Sequence, residues 1–70
     1  MTENDIENRF TYHPSKAGQP VMYEAIRYEA KSLAYTINDL CPESREKLLA
    51  ITKLEEVVMW ANASIARNGG

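Results

Sequence analysis

Seventy residues set a low ceiling on what this chain can bury: they make one domain, near the lower limit for a hydrophobic core that stands alone. An apolar content of 44% and a charged content of 26% are those of a globular protein, and the one cysteine excludes an internal disulfide and any cysteine-cluster zinc site. A net charge of −2 argues against non-specific duplex binding, which needs a basic footprint, while a local basic cluster still suffices for a small anion. The one histidine rules out a multi-histidine metal site within one chain. With no visible signal peptide and no run of about 18 apolar residues, the expectation is a cytoplasmic protein that does not span a membrane.

Residues 1–20 form an N-terminal arm and loop. Thr2 followed by Asp5 can open one short helical turn ending near Phe10. Residues 9–20 (RFTYHPSKAGQP) then carry two prolines, a glycine and no sustained periodicity. This loop concentrates Arg9, Phe10, Tyr12, His13 and Lys16. Packing of Phe10 and Tyr12 against the helices is one use for these rings; stacking of a loop tyrosine on a ligand base is the other.

The first long helix is predicted over residues 21–40, with Pro20 at its start. Tyr23, Ile26, Ala30, Leu33, Ile37 and Leu40 recur at helical spacing and give its core stripe. Arg27 and Lys31 lie one turn apart on the flank of that stripe, near Tyr28 and Tyr35. Like charges at this spacing cost an isolated helix roughly 0.2–0.5 kcal/mol. The pair fits a solvated face with snorkelling side chains, and equally an anion that carries a flat base.

The second long helix is predicted over residues 42–67, with Pro42 at its first position and Glu43 and Glu46 in its opening turns. Ile51, Leu54, Val58, Ala61 and Ile65 form its core stripe, and Asn68-Gly69-Gly70 stops it. A helix of about 26 residues is about 39 Å long, more than a compact core of this size needs. A second apolar strip, with Val57, Met59 and Trp60 at its centre, points to an oligomer interface. So short a connection between the helices forces an antiparallel hairpin. The fold class is therefore all-α: a two-helix hairpin with a short N-terminal turn and loop, assembled as a homo-oligomer.

Residue types for catalysis are poorly represented. Cys41 sits at a predicted helix start, where a thiol pKa can fall, but a small buried residue at the hairpin corner is the simpler role. Glu55 and Glu56 are consecutive and do not form a carboxylate dyad. The expectation is no enzyme, no cofactor and no metal.

The segments ENRFTYHP (7–14), YEAIRYEAKSLA (23–34) and CPESREKLLAITKLEEVVMWANASIARN (41–68) resemble the small phage-encoded anti-CBASS proteins of the second described type. The resemblance spans nearly the whole chain, and the strings RFTYHP and MWANASIARN are its specific part. It implies a hexameric sponge for cyclic dinucleotides such as cyclic GMP-AMP, with cyclic trinucleotides at a second site in some members. Such a protein acts in the cytoplasm of the infected bacterium, withholding the messenger from a CBASS effector. Carried over residue by residue, the base-stacking tyrosine becomes Tyr12 and the phosphate-binding basic residue becomes Arg27, with Lys31 as alternative or helper. His13 and Arg9 complete the residues expected to bind the dinucleotide, and Arg67 is the candidate for the trinucleotide site. Two other classes stand beside this one: a helical module that blocks a host protein through Trp60, Met59 and Val57, and a nucleic-acid regulator, which the acidic balance disfavours.

Overall fold

The computed structural model describes residues 1–10 and 20–68, and the described residues are all-helical. Three helices follow in order: α1 (Glu3–Phe10), α2 (Pro20–Leu40) and α3 (Arg45–Asn68). The α2/α3 pair is the hairpin, in a rod of 41 × 18 × 14 Å.

Eight residues are too few to be helical alone in water, so α1 depends on its caps and its packing. Thr2 and Asp5 form a reciprocal cap: the Asp5 amide donates to Thr2 Oγ1, and the Thr2 amide donates to Asp5 Oδ2, both at 3.2 Å. Ile6 and Phe10, one turn apart, are the apolar face and are buried. Full burial of side chains of this size contributes about 1.5–3 kcal/mol each, more than the roughly 1 kcal/mol typical of a cap. The helical turn expected near Thr2 is thus a complete two-turn helix that closes the hairpin.

The core comprises Ile6 and Phe10 from α1, Ala30 and Ala34 from α2, and Ile51 and Leu54 from α3. This corrects the stripe expected on α2. Ala34 is fully buried, whereas Leu33 is 49% exposed and Leu40 lies at the exposed corner. The reason is α1. A third helix must approach α2 closely, and two alanines one turn apart provide the flat surface on which Phe10 and Ile6 can sit.

The start of the last helix is also corrected. Pro42 and Glu43 precede it, and α3 begins at Arg45 because Ser44 is its cap. Ser44 Oγ accepts from the Lys47 amide at 3.1 Å, and its carbonyl accepts from the Leu48 amide at 3.2 Å. Four residues, 41–44, make the corner, and Cys41 there is exposed rather than buried. It follows the last turn of α2, with its amide donating to the Ile37 carbonyl at 2.9 Å. At the other end α3 reaches Asn68, whose side chain bonds the Ser64 carbonyl. Among the described residues no helix is long and apolar enough to cross a membrane.

Candidate functional site

Of the residues expected to meet a ligand, Lys31 is held at the junction where α1 lies on α2. Glu7 projects from α1 towards α2 and accepts two hydrogen bonds, from Lys31 Nζ at 2.8 Å and from the Tyr35 hydroxyl. The Lys31 ammonium, then the Tyr35 phenol, hold the Glu7 carboxyl below the usual carboxylate range. The same carboxylate pushes Tyr35 up to about 12, since the phenol proton that it shares would be lost to a neighbouring negative charge. The sequence sets Tyr35 near Lys31 but gives no sign of Glu7. Tyr35 stands one turn beyond Lys31, which is legible; Glu7 is far away in sequence, and no local spacing announces it.

Arg9 reaches the other way, donating to Glu55 on α3 at 2.9 Å. Residues 7 and 9 therefore tie α1 to both arms of the hairpin. Arg27 lies one turn before Lys31 on α2 and is half-buried, while Tyr28 beside it is exposed. The expected like-charge cost between Arg27 and Lys31 is relieved at the lysine by Glu7. Tyr12 and His13, with Lys16, lie outside the described residues; their segment leaves α1 at Phe10. Arg67 is exposed in the last turn of α3, far from the α1 junction along the rod.

A second feature is apolar. An open apolar groove of about 470 Å³ runs between α2 and α3, lined among others by Ile26, Leu33, Val57, Val58 and Ala61. Val57, Met59 and Trp60, the residues expected at an interface, are all more than half exposed. The apolar strip anticipated on α3 is thus uncovered by any described segment of the chain.

The profile of the Acb2/Tad1 hairpin domain matches residues 2–66, from the Thr2 cap of α1 almost to the end of α3. The chain belongs to the Acb2/Tad1 hairpin family. The match includes α1 and both arms of the hairpin, so the three-helix unit, and not the long pair alone, corresponds to the family's domain. The resemblance carried by ENRFTYHP and MWANASIARN is to this family. No curated protein and no solved structure matched the chain.

Proposed function

We propose that this protein binds and sequesters cyclic oligonucleotide second messengers without cleaving them, and so antagonises bacterial CBASS immunity during phage infection. The observation that carries the reading is membership of the Acb2/Tad1 hairpin family over residues 2–66, with the basic Arg27/Lys31 side of α2 next to the helix that delivers the Tyr12 loop. A cyclic dinucleotide presents two bases and two phosphates in a compact ring. It needs flat aromatic surface and local positive charge, both available in an acidic protein when loop and helix supply them together. Tyr12 stacks on a base, which is worth about 1–3 kcal/mol per base. Arg27 meets a phosphate and can do so with two parallel hydrogen bonds. His13 and Arg9 stand at the margin of that site, and Arg67 serves a second site for cyclic trinucleotides.

The chain assembles with copies of itself, with a hexamer as the expected state, and the α2/α3 groove together with the Val57–Trp60 strip is the assembly surface. Symmetric pairing places equivalent loops on both sides of a quasi-twofold ligand. A ring, a guanidinium and a helix face are the means of ligand storage rather than turnover.

The test is to mix the purified protein with cyclic GMP-AMP, denature or digest it, and analyse what is released. Intact messenger supports sequestration; linear or hydrolysed product would mean an enzyme. Tyr12→Ala and Arg27→Ala should each weaken uptake while the oligomer persists, and wild-type affinity in both would refute the site.

The exposed Val57, Met59 and Trp60 favour one second reading, a hairpin that binds and blocks a host protein. A stoichiometric protein partner captured from lysate freed of small molecules, by a chain that takes up no nucleotide, would support it.

A further inference from the structure

The groove between α2 and α3 has two unlike walls. The α2 wall carries Ile26 and Leu33, and Met22, one turn before Ile26, extends it; Leu33 is 49% and Met22 52% exposed. The α3 wall carries Val57 and Ala61, and Ala50, two turns before Val57, continues it. Large side chains thus stand on one wall and smaller ones on the other. The charges differ in the same way. Glu29 lines the groove from α2, while Lys53, one turn before Val57, edges it on α3.

Both arms start from the same corner, residues 41–44, and the bond from Lys47 to the Asn38 carbonyl sets their register there. At about 1.5 Å per residue, Ile26 and Val57 stand within about 3 Å of the same height along the rod, as do Leu33 and Ala50. Glu29 and Lys53 agree to within about 5 Å. A twofold axis running along the rod lays α2 of one copy over α3 of another and leaves these heights unchanged. Large side chains then meet small ones, as interdigitating faces require, and each Glu29 comes to the partner's Lys53. The other face-to-face twofold, with its axis across the rod, lays α2 over α2. It sets large against large on that side, leaves a gap over α3 and brings like charges together. Either long side of the rod, 41 Å by 18 or 14 Å, is on the order of the about 800 Å² that each partner gives to a standard interface.

We propose that the α2/α3 groove is a self-docking surface of defined orientation: two copies join groove to groove about an axis along the rod, α2 over the partner's α3, with Glu29 of each facing Lys53 of the other. The pairing rests on the reading of this groove as the place where copies meet, and adds which helix meets which. Lys53 exchanges Glu56 for Glu29 at little cost, because an ion pair that exposed is weak.

The experiment is thiol cross-linking of full-length chains in a Cys41→Ala background, so that each chain carries a single cysteine. Leu33→Cys and Ala50→Cys chains are mixed in urea, refolded together and treated with a short bifunctional maleimide. Both positions are exposed, so neither substitution empties the core. The expected product is a dimer linked between positions 33 and 50, identified by mass spectrometry of the joined peptides, with little dimer from either chain alone. Links from 33 to 33 or from 50 to 50 as the main product would overturn the orientation. An oligomer of wild-type size without links would overturn the pairing and leave sequestration standing. A second arm reads the charges. Glu29→Lys and Lys53→Glu should each raise the concentration at which the oligomer dissociates by about tenfold, and the two together should return it to within about threefold of wild type. A double variant as weak as the singles would overturn the match of Glu29 to Lys53. A monomeric wild type would remove self-assembly itself, and this pairing with it.

Discussion

Lys47 Nζ donates to the backbone carbonyl of Asn38 at 3.0 Å, so a lysine from the first turn of α3 closes the last turn of α2. The same ammonium donates to Glu43 Oε1 at 2.7 Å, and the residue is only 6% exposed. A cation at a helix C-terminus answers both the dipole and the orphaned carbonyls there. With its charge balanced and two of its three hydrogens bonded, burial at the corner is tolerable. The corner of the hairpin is thus a polar joint centred on one buried side chain.

Replacing Lys47 by Met keeps most of the stem volume and removes the ammonium, leaving the Asn38 carbonyl without that donor. The expected cost is about 1–3 kcal/mol, against less than about 0.5 kcal/mol for Lys53→Met, whose ion pair with Glu56 is in solvent. In a domain of this size about 4–8 °C of melting temperature goes with each kcal/mol, which thermal unfolding by circular dichroism resolves. Equal melting temperatures for the two variants would show that the buried joint adds nothing.

Glu43 gives the same corner a pH dependence. Hydrogen bonds from Lys47, and then from the Met1 ammonium at 2.7 Å, lower its carboxyl from 4.5 to about 2. A carboxyl depressed in the folded state stabilises fully above its unfolded value and loses that contribution as pH falls through the folded one. Stability should therefore decline between pH 4.5 and about 2. Glu43→Gln should flatten part of that decline, with a remaining slope from Asp5 and Glu7, whose carboxyls are also lowered. The measurement is urea unfolding at a series of acid pH values; an unchanged slope in Glu43→Gln would assign the decline elsewhere.

How far these features were legible in the sequence depends on the range of the contact. The two long helices follow from apolar spacing, and the exposed strip of Val57, Met59 and Trp60 follows from a second spacing on the same helix. Cap chemistry was harder: Pro42 looked like a helix start, while Ser44, two residues later, holds the first amides of α3. The register on α2 was misread for a packing reason. The spacing places Ala30 in the core, as found, but it also places Leu33 there, where the third helix packs over Ala34 instead. Arg27 and Lys31 stood out as a basic pair, but Glu7 did not, because its contact with Lys31 is made by the fold and not by any repeat in the chain.

The Tyr35 hydroxyl reports on that contact from the alkaline side. The hydrogen bond to Glu7, burial and the nearby negative charge raise it from 10.0 to about 12. A phenol raised in the folded state contributes stability that is whole below pH 10.0 and lost as pH rises through about 12. Tyr35 should ionise late in an absorbance titration, and Tyr35→Phe should delete that late component. A titration in which Glu7→Gln leaves the late component in place would mean that burial, and not the carboxylate, holds the proton.

The groove between α2 and α3 makes the sharpest prediction about assembly. Val57 is 58% exposed in the single chain, so a glutamate there disturbs no core contact and keeps a good helix former in place. If the groove is where copies meet, the carboxylate becomes an unpaired charge in an apolar interface, at a cost of several kcal/mol per copy. Val57→Glu should accordingly run as a monomer in native mass spectrometry at concentrations where the wild type is oligomeric, with helical circular dichroism preserved. It should also lose cyclic-dinucleotide uptake if two protomers are needed to enclose the ligand. An oligomer of unchanged size in Val57→Glu would place the assembly contacts away from this groove, and a monomer that still binds the dinucleotide at wild-type affinity would make the site complete within one chain.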